Sequence, residues 1–127
     1  MAELSPDIAN RVAVMRNMAT NARSRGEHFV FVRIPEPLTP LERGNRYEDP
    51  LIAAFAATDL GAVTGGGQQL GKGKSIVYCG IDVVLTDWVA GMEFLRETLR
   101  RLGAPPATVI EEFLPEFREN PLGPTDS

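Results

Sequence analysis

Apolar residues recur at every second position from Val77 onward (Val77, Cys79, Ile81, Val83, Leu85), while the residues between them (Ile76, Tyr78, Gly80, Asp82, Val84, Thr86) are mixed. That alternation predicts a strand covered on one face. With the glycine-rich stretch before it, Gly61 to Asp87 reads as two strands joined by a glycine-rich turn. A second extended run, His28 to Ile34, is rich in phenylalanine and valine. Val30, Val32 and Ile34 share one face of it and form the expected core side; Phe29, Phe31 and Arg33 lie on the other.

Helical spacing appears in three places. Ser5-Pro6-Asp7 opens the first with a capping serine, a first-turn proline and an acid at the positive end of the dipole, and Ile8, Val12, Met15 and Ala19 follow. Arg23 to Gly26 closes it. Asp49-Pro50 repeats the cap-then-proline signal and starts a helix with Leu51, Ile52, Phe55 and Ala56, ending near Gly61. The third begins at Thr86 or Asp87, carries Trp88, Met92, Leu95, Leu99 and Leu102 as one stripe, and stops at Gly103 before Pro105-Pro106. Thr108 to Phe113 predicts a final short strand. Three prolines between Pro35 and Pro40 predict a stiff connecting loop that continues through Glu42, Arg43, Gly44 and Arg46.

After the N-terminal helix the order is strand, helix, strand, strand, helix, strand. This is the α+β, ferredoxin-like split βαβ pattern (βαββαβ), a four-stranded antiparallel sheet with helices on one face. It implies an N-terminal helical extension over residues 1–27, a ferredoxin-like domain over 28–114, and a loosely held tail over 115–127. The N-terminal helix has no place in the minimal pattern. Three placements stay open: beside the unit, over the open sheet face, or exchanged with a second copy.

Composition narrows the function classes. A chain of 127 residues with 43% apolar content builds one core of ordinary size. Its net charge of -4 supplies no broad basic field, so neither nucleic acid nor an anionic membrane surface is an expected partner. The single cysteine forms no internal disulfide and no multi-thiolate zinc site, so no metal or cofactor is expected. The start MAELSPDIAN lacks a secretory pattern and no apolar run is long enough to span a bilayer, which makes a soluble, cytoplasmic protein the expectation.

Candidate chemistry adds no catalytic residue. Gly66 to Lys72 has the spacing of a phosphate-binding loop, but Gly73 stands where a hydroxyl should hold magnesium, and a strand follows where a helix is needed. Cys79 and His28, the one thiol and the one imidazole, make a nucleophile pair only if the fold joins them, and the strand pattern puts Cys79 in the core. Glu111 and Glu112 are adjacent on a strand and point to opposite faces. Asp82 is an acid in an otherwise apolar strand and shares a face with Tyr78. The open sheet face offers Phe29, Phe31, Arg33, Tyr78 and Asp82; without the basic and aromatic third strand of an RNA-stacking module, it reads as a protein contact, or as a second core under the N-terminal helix.

The segments ERGNRYEDPL (Glu42 to Leu51), VTGGGQQL (Val63 to Leu70), IDVVLTD (Ile81 to Asp87) and LRRLGAPPATVI (Leu99 to Ile110) resemble small bacterial cytoplasmic proteins of unknown role, some of which are similar to immunity proteins for secreted toxins. The resemblance implies a non-enzymatic protein-binding protein, most concretely an inhibitor that neutralises a toxin. The expected partner contacts are Phe31, Arg33, Glu36, Glu42, Tyr47, Glu48, Tyr78 and Asp82, with a homodimer as the other protein partner. A second reading is a small-molecule sensing domain whose turn at Gly65, Gly66 and Gly67 receives an anionic ligand through exposed N–H groups.

Overall fold

The computed structural model describes residues 6–70 and 76–123. The chain forms α1 (Pro6–Ser24), β1 (His28–Ile34), α2 (Pro40–Arg43), a π-helical turn (Gly44–Glu48), α3 (Asp49–Ala56), β2 (Gly61–Leu70), β3 (Ile76–Leu85), α4 (Trp88–Arg101), β4 (Val109–Glu112) and β5 (Arg118–Pro121). The five strands make one sheet in the order β2-β3-β1-β4-β5, and every neighbouring pair is antiparallel. The fold is α+β.

β1 and β3 lie at the middle of the sheet and bury residues on both faces. On one face Val30, Val32, Ile34, Cys79, Ile81, Val83, Leu85 and Ile110 meet Leu51 and Phe55 of α3 and Met92, Leu95 and Leu99 of α4. The stripe predicted for α4 is therefore its inward face, and Asp87 caps it by accepting from the Ala90 N–H at 2.9 Å. Gly91 lets α4 approach β3, since a Cβ there would lie 3.1 Å from Leu85 side-chain atoms.

On the opposite face Phe29, Phe31, Val84 and Phe113 pack with Ala19 and Ala22 of α1. Of the three placements open for the N-terminal helix, it takes the one over the sheet. Small alanines on α1 allow the rings of β1 to fill the gap, and Phe31 is further accommodated by Gly80, where a Cβ would sit 2.0 Å from its Cζ. The sheet thus has helices on both sides.

Three departures from the sequence reading concern connections. The loop after β1 is not irregular throughout: Thr39 and Glu42 form a reciprocal capping box that starts α2, and the π-helical turn carries the helix without interruption into α3. Asp49 accordingly lies within a helical segment with φ -62° and ψ -45° and is not its cap. The expected tail carries a fifth strand, one more than the ferredoxin-like pattern has, because Leu122 is buried in the main core and its N–H donates to the Thr108 carbonyl at 2.7 Å. Arg96 and Arg100 hold the same segment through the carbonyls of Pro121 and Leu122 at 3.1 and 2.8 Å.

Because Leu95 and Leu99 are wholly buried, replacing either by alanine is predicted to lower stability by about 2 to 5 kcal/mol in urea unfolding. Val89, 74% exposed on the same helix, serves as the contrast: Val89→Ala is predicted to change stability by no more than about 0.5 kcal/mol.

Candidate functional site

The α2 to α3 segment forms a helical strap beside the glycines of β2. Its capping box commits Glu42, whose carboxylate accepts from the Thr39 backbone N–H at 3.0 Å; that bond holds the Glu42 carboxyl below its ordinary pKa. The π-helical turn points Tyr47 into the core, where its phenol donates to the Glu36 carboxylate. Burial, reinforced by Glu36, pushes the Tyr47 phenol far up, so it stays a donor at any physiological pH. Arg46 pairs with the other oxygen of Glu36 at 3.4 Å, and Arg43 pairs with Glu48.

The Arg43 and Glu48 pair roofs Gly66. A Cβ on Gly66 would lie 2.9 Å from Glu48 Oε1 and 3.1 Å from Arg43 Nε, and one on Gly65 would lie 3.2 Å from Asp82 Oδ2. These glycines make room for charged side chains over a strand. They do not form a turn: Gly65, Gly66 and Gly67 pair with Asp82, Ile81 and Gly80. The anion-binding turn expected there is therefore corrected, since a paired strand directs half its N–H groups into the ladder and Glu48 stands over it. The turn between β2 and β3 lies outside the described residues.

Asp82 sits on the sheet face that also carries Tyr78 and Val84, opposite Phe31 in register. Burial raises its pKa; Arg43 opposes the rise and Glu48 adds to it. Cys79 faces the main core with no exposure, and burial pushes its thiol up to about 11, leaving almost no thiolate at neutral pH. In register Cys79 pairs with Ile34 and His28 with Leu85, at opposite ends of the β1 and β3 ladder. That separation is about 20 Å along the strand. No cysteine-histidine pair forms, and among the described residues no cluster of three metal-ligating side chains exists.

The remaining expected contacts belong to a second network under α1. Glu111, fully buried and opposite Phe31, accepts both Nη groups of Arg11, with Nη2 to Oε2 at 3.0 Å, and Arg33 Nη1 at 3.1 Å. Arg33 reaches Glu119 as well, at 2.8 Å. The Arg11 guanidinium lies 5.3 Å from the centroid of Phe31 and 5.9 Å from that of Tyr78. Phe31 and Tyr47 are thus core residues, not contact residues, and Arg33 and Tyr78 are engaged internally. Glu36 and Glu48 are engaged in the same way, by Arg46 and Arg43, and Asp82 is half-buried, so Glu42 alone of the four expected acids is exposed.

The sequence reading set Glu111 on a strand face but missed Arg11 and the buried pair the two form. The signal was present: Val109, Glu111 and Phe113 alternate onto one face, so the acid occupies a core position and requires a cation from another element. Removing one partner from such a buried pair typically costs about 3 to 5 kcal/mol.

Comparison with protein-family profiles, with curated proteins and with solved structures gave no match.

Since the folded state raises the Asp82 pKa, its ionisation opposes folding. The stability associated with the neutral form is complete below the usual carboxyl pKa and is lost as pH rises through the raised value. Asp82→Asn is therefore predicted to raise the melting temperature at neutral pH and to have no such effect near about pH 3, below the usual range for aspartate. Melting curves of the two proteins across that interval provide the check.

Proposed function

We propose that this protein is a small non-enzymatic protein-binding protein, most concretely an immunity-type inhibitor that neutralises a bacterial toxin. The observation that carries the reading is β2, an edge strand with no charged residue of its own, with Glu48 and its partner Arg43 over Gly66, Asp82 against Gly65, and the exposed carboxylate of Glu42 on the adjoining strap. An uncharged centre with a polar rim is the ordinary anatomy of a protein interface. Carboxylates at that rim, on a chain of net charge -4, attract the basic clefts in which many toxins bind anionic substrates. The buried thiol, remote from the imidazole, supports binding over nucleophilic catalysis.

The scaffold reading belongs to the same proposal. We treat β1 to β4 with α3 and α4 as a ferredoxin-like split βαβ unit to which β5 is added. Its support is the antiparallel pairing of β1 with both β3 and β4, with both helices contributing to one core. The sensing-domain alternative has less support, because Gly65, Gly66 and Gly67 lie in a paired strand and the arginine over Gly66 is already paired with Glu48.

Untagged protein isolated from its native cells is expected to retain a toxin partner. Glu42→Lys, a change at an exposed side chain, is expected to slow association about tenfold at low salt and to reduce its salt dependence. Isolation of the protein without a stable partner, or association indifferent to both charge and salt, contradicts the reading.

A further inference from the structure

A buried joint holds the segment after β5 to the end of α4. Leu122 N–H donates to the Thr108 carbonyl at 2.7 Å, Gly123 N–H to the Pro106 carbonyl at 3.0 Å, and Arg100 Nη2 to the Leu122 carbonyl at 2.8 Å. Thr108 is held in turn by its own N–H, which donates to the Pro105 carbonyl at 2.9 Å. Three stretches of chain therefore meet at one residue, Leu122, which is 2% exposed.

Two side-chain atoms of this joint are unaccounted for. Among the described residues, Arg100 Nε and Thr108 Oγ1 are buried without a hydrogen-bond partner, and Thr108 has no exposure at all. Buried polar groups are ordinarily paired, because an unpaired one forfeits the hydrogen bonds that solvent gives it in the unfolded chain. Both orphans belong to residues that bond the main chain of Leu122, Arg100 at its carbonyl and Thr108 at its N–H. Their chemistry is complementary through a third molecule, since Nε–H only donates whereas a hydroxyl both donates and accepts.

We propose that the joint is a binding site for one structural water, which accepts from Arg100 Nε–H and is hydrogen-bonded to Thr108 Oγ1. Water is selected over an ion. The guanidinium repels a cation. An anion is not required, because Arg100 stands in the last turn of α4, where the negative end of the helix dipole and the Leu122 carbonyl already meet its charge. Buried waters make about two to four hydrogen bonds, and these two atoms supply the minimum. The water ties the last turn of α4, the turn at Thr108 and the segment after β5 into one piece. It lies at the opposite end of the sheet order from β2, so the inference is independent of the toxin reading.

A high-resolution crystal structure of the full chain tests it directly. The expected result is a single water peak within about 3.2 Å of both Arg100 Nε and Thr108 Oγ1. Thr108→Val keeps the shape and removes the hydroxyl, so it is expected to lower the folding equilibrium constant about tenfold. In the same variant the Leu122 and Gly123 amides are expected to gain more in hydrogen-exchange rate than the β1 amides do, because the loss is local to the joint. Thr108→Ser, which keeps the hydroxyl, is expected to retain the water peak. Absence of the peak in the unaltered protein, a direct bond between the two side chains, a bromide peak at the joint in crystals grown with bromide, or a Thr108→Val protein as stable as the parent overturns the proposal.

Discussion

Strands β1 and β3 place apolar side chains on both faces of the sheet, and that arrangement governs the rest of the molecule. Val30, Val32 and Ile34 require cover on one side while Phe29 and Phe31 require it on the other. Burial of such side chains contributes roughly 1.5 to 3 kcal/mol each, so neither face can be left wet without a large loss. α3 and α4 cover the first face and α1 the second. The buried Glu111 helps to position α1, because its carboxylate accepts from Arg11 of that helix as well as from Arg33 of β1. Apolar contact with Ala19 and Ala22 supplies the attraction, and the ion pair supplies the position.

This cover changes what the surface can do. With Phe29 at 5% exposure and Phe31 at 4%, the aromatic sheet face is an interior, and stacking or partner contact through it is closed off. The surface left for the proposed contact is the sheet's rim: the strap with the exposed Glu42, the half-buried Asp82, and the edge of β2. Glycines at 65 and 66 serve this rim by giving charged side chains room above the strand. Their conformational freedom is not what the fold uses there.

Elements with a strong period were legible in the sequence. Alternation in β1 and β3 and the four-and-three stripe of α4 identify both element type and inward face, because packing on a core demands that periodicity. The strap was hidden by its prolines, which suggest a loop even though Pro40 occupies the first helical turn, where its missing N–H costs nothing. β5 was hidden because a four-residue edge strand with charged and proline residues has no apolar period; only Leu122 marks it. Of the site, Glu42 was recognisable as a surface acid, whereas the pairing of Glu36 and Glu48 with Arg46 and Arg43 was not. The fates of Phe31, Tyr47, Arg33 and Tyr78 depended on where α1 and the strap settle, a long-range matter that local spacing does not encode.

Native-state hydrogen exchange on α1 tests most directly the claim that this helix is an integral layer of the fold. The account predicts that amides from Arg11 to Ala22 exchange only through opening that also exposes β1, with protection free energies within about 1 kcal/mol of the β1 amides. Rapid exchange throughout α1 while β1 stays protected would show a detachable helix, and would contradict the account.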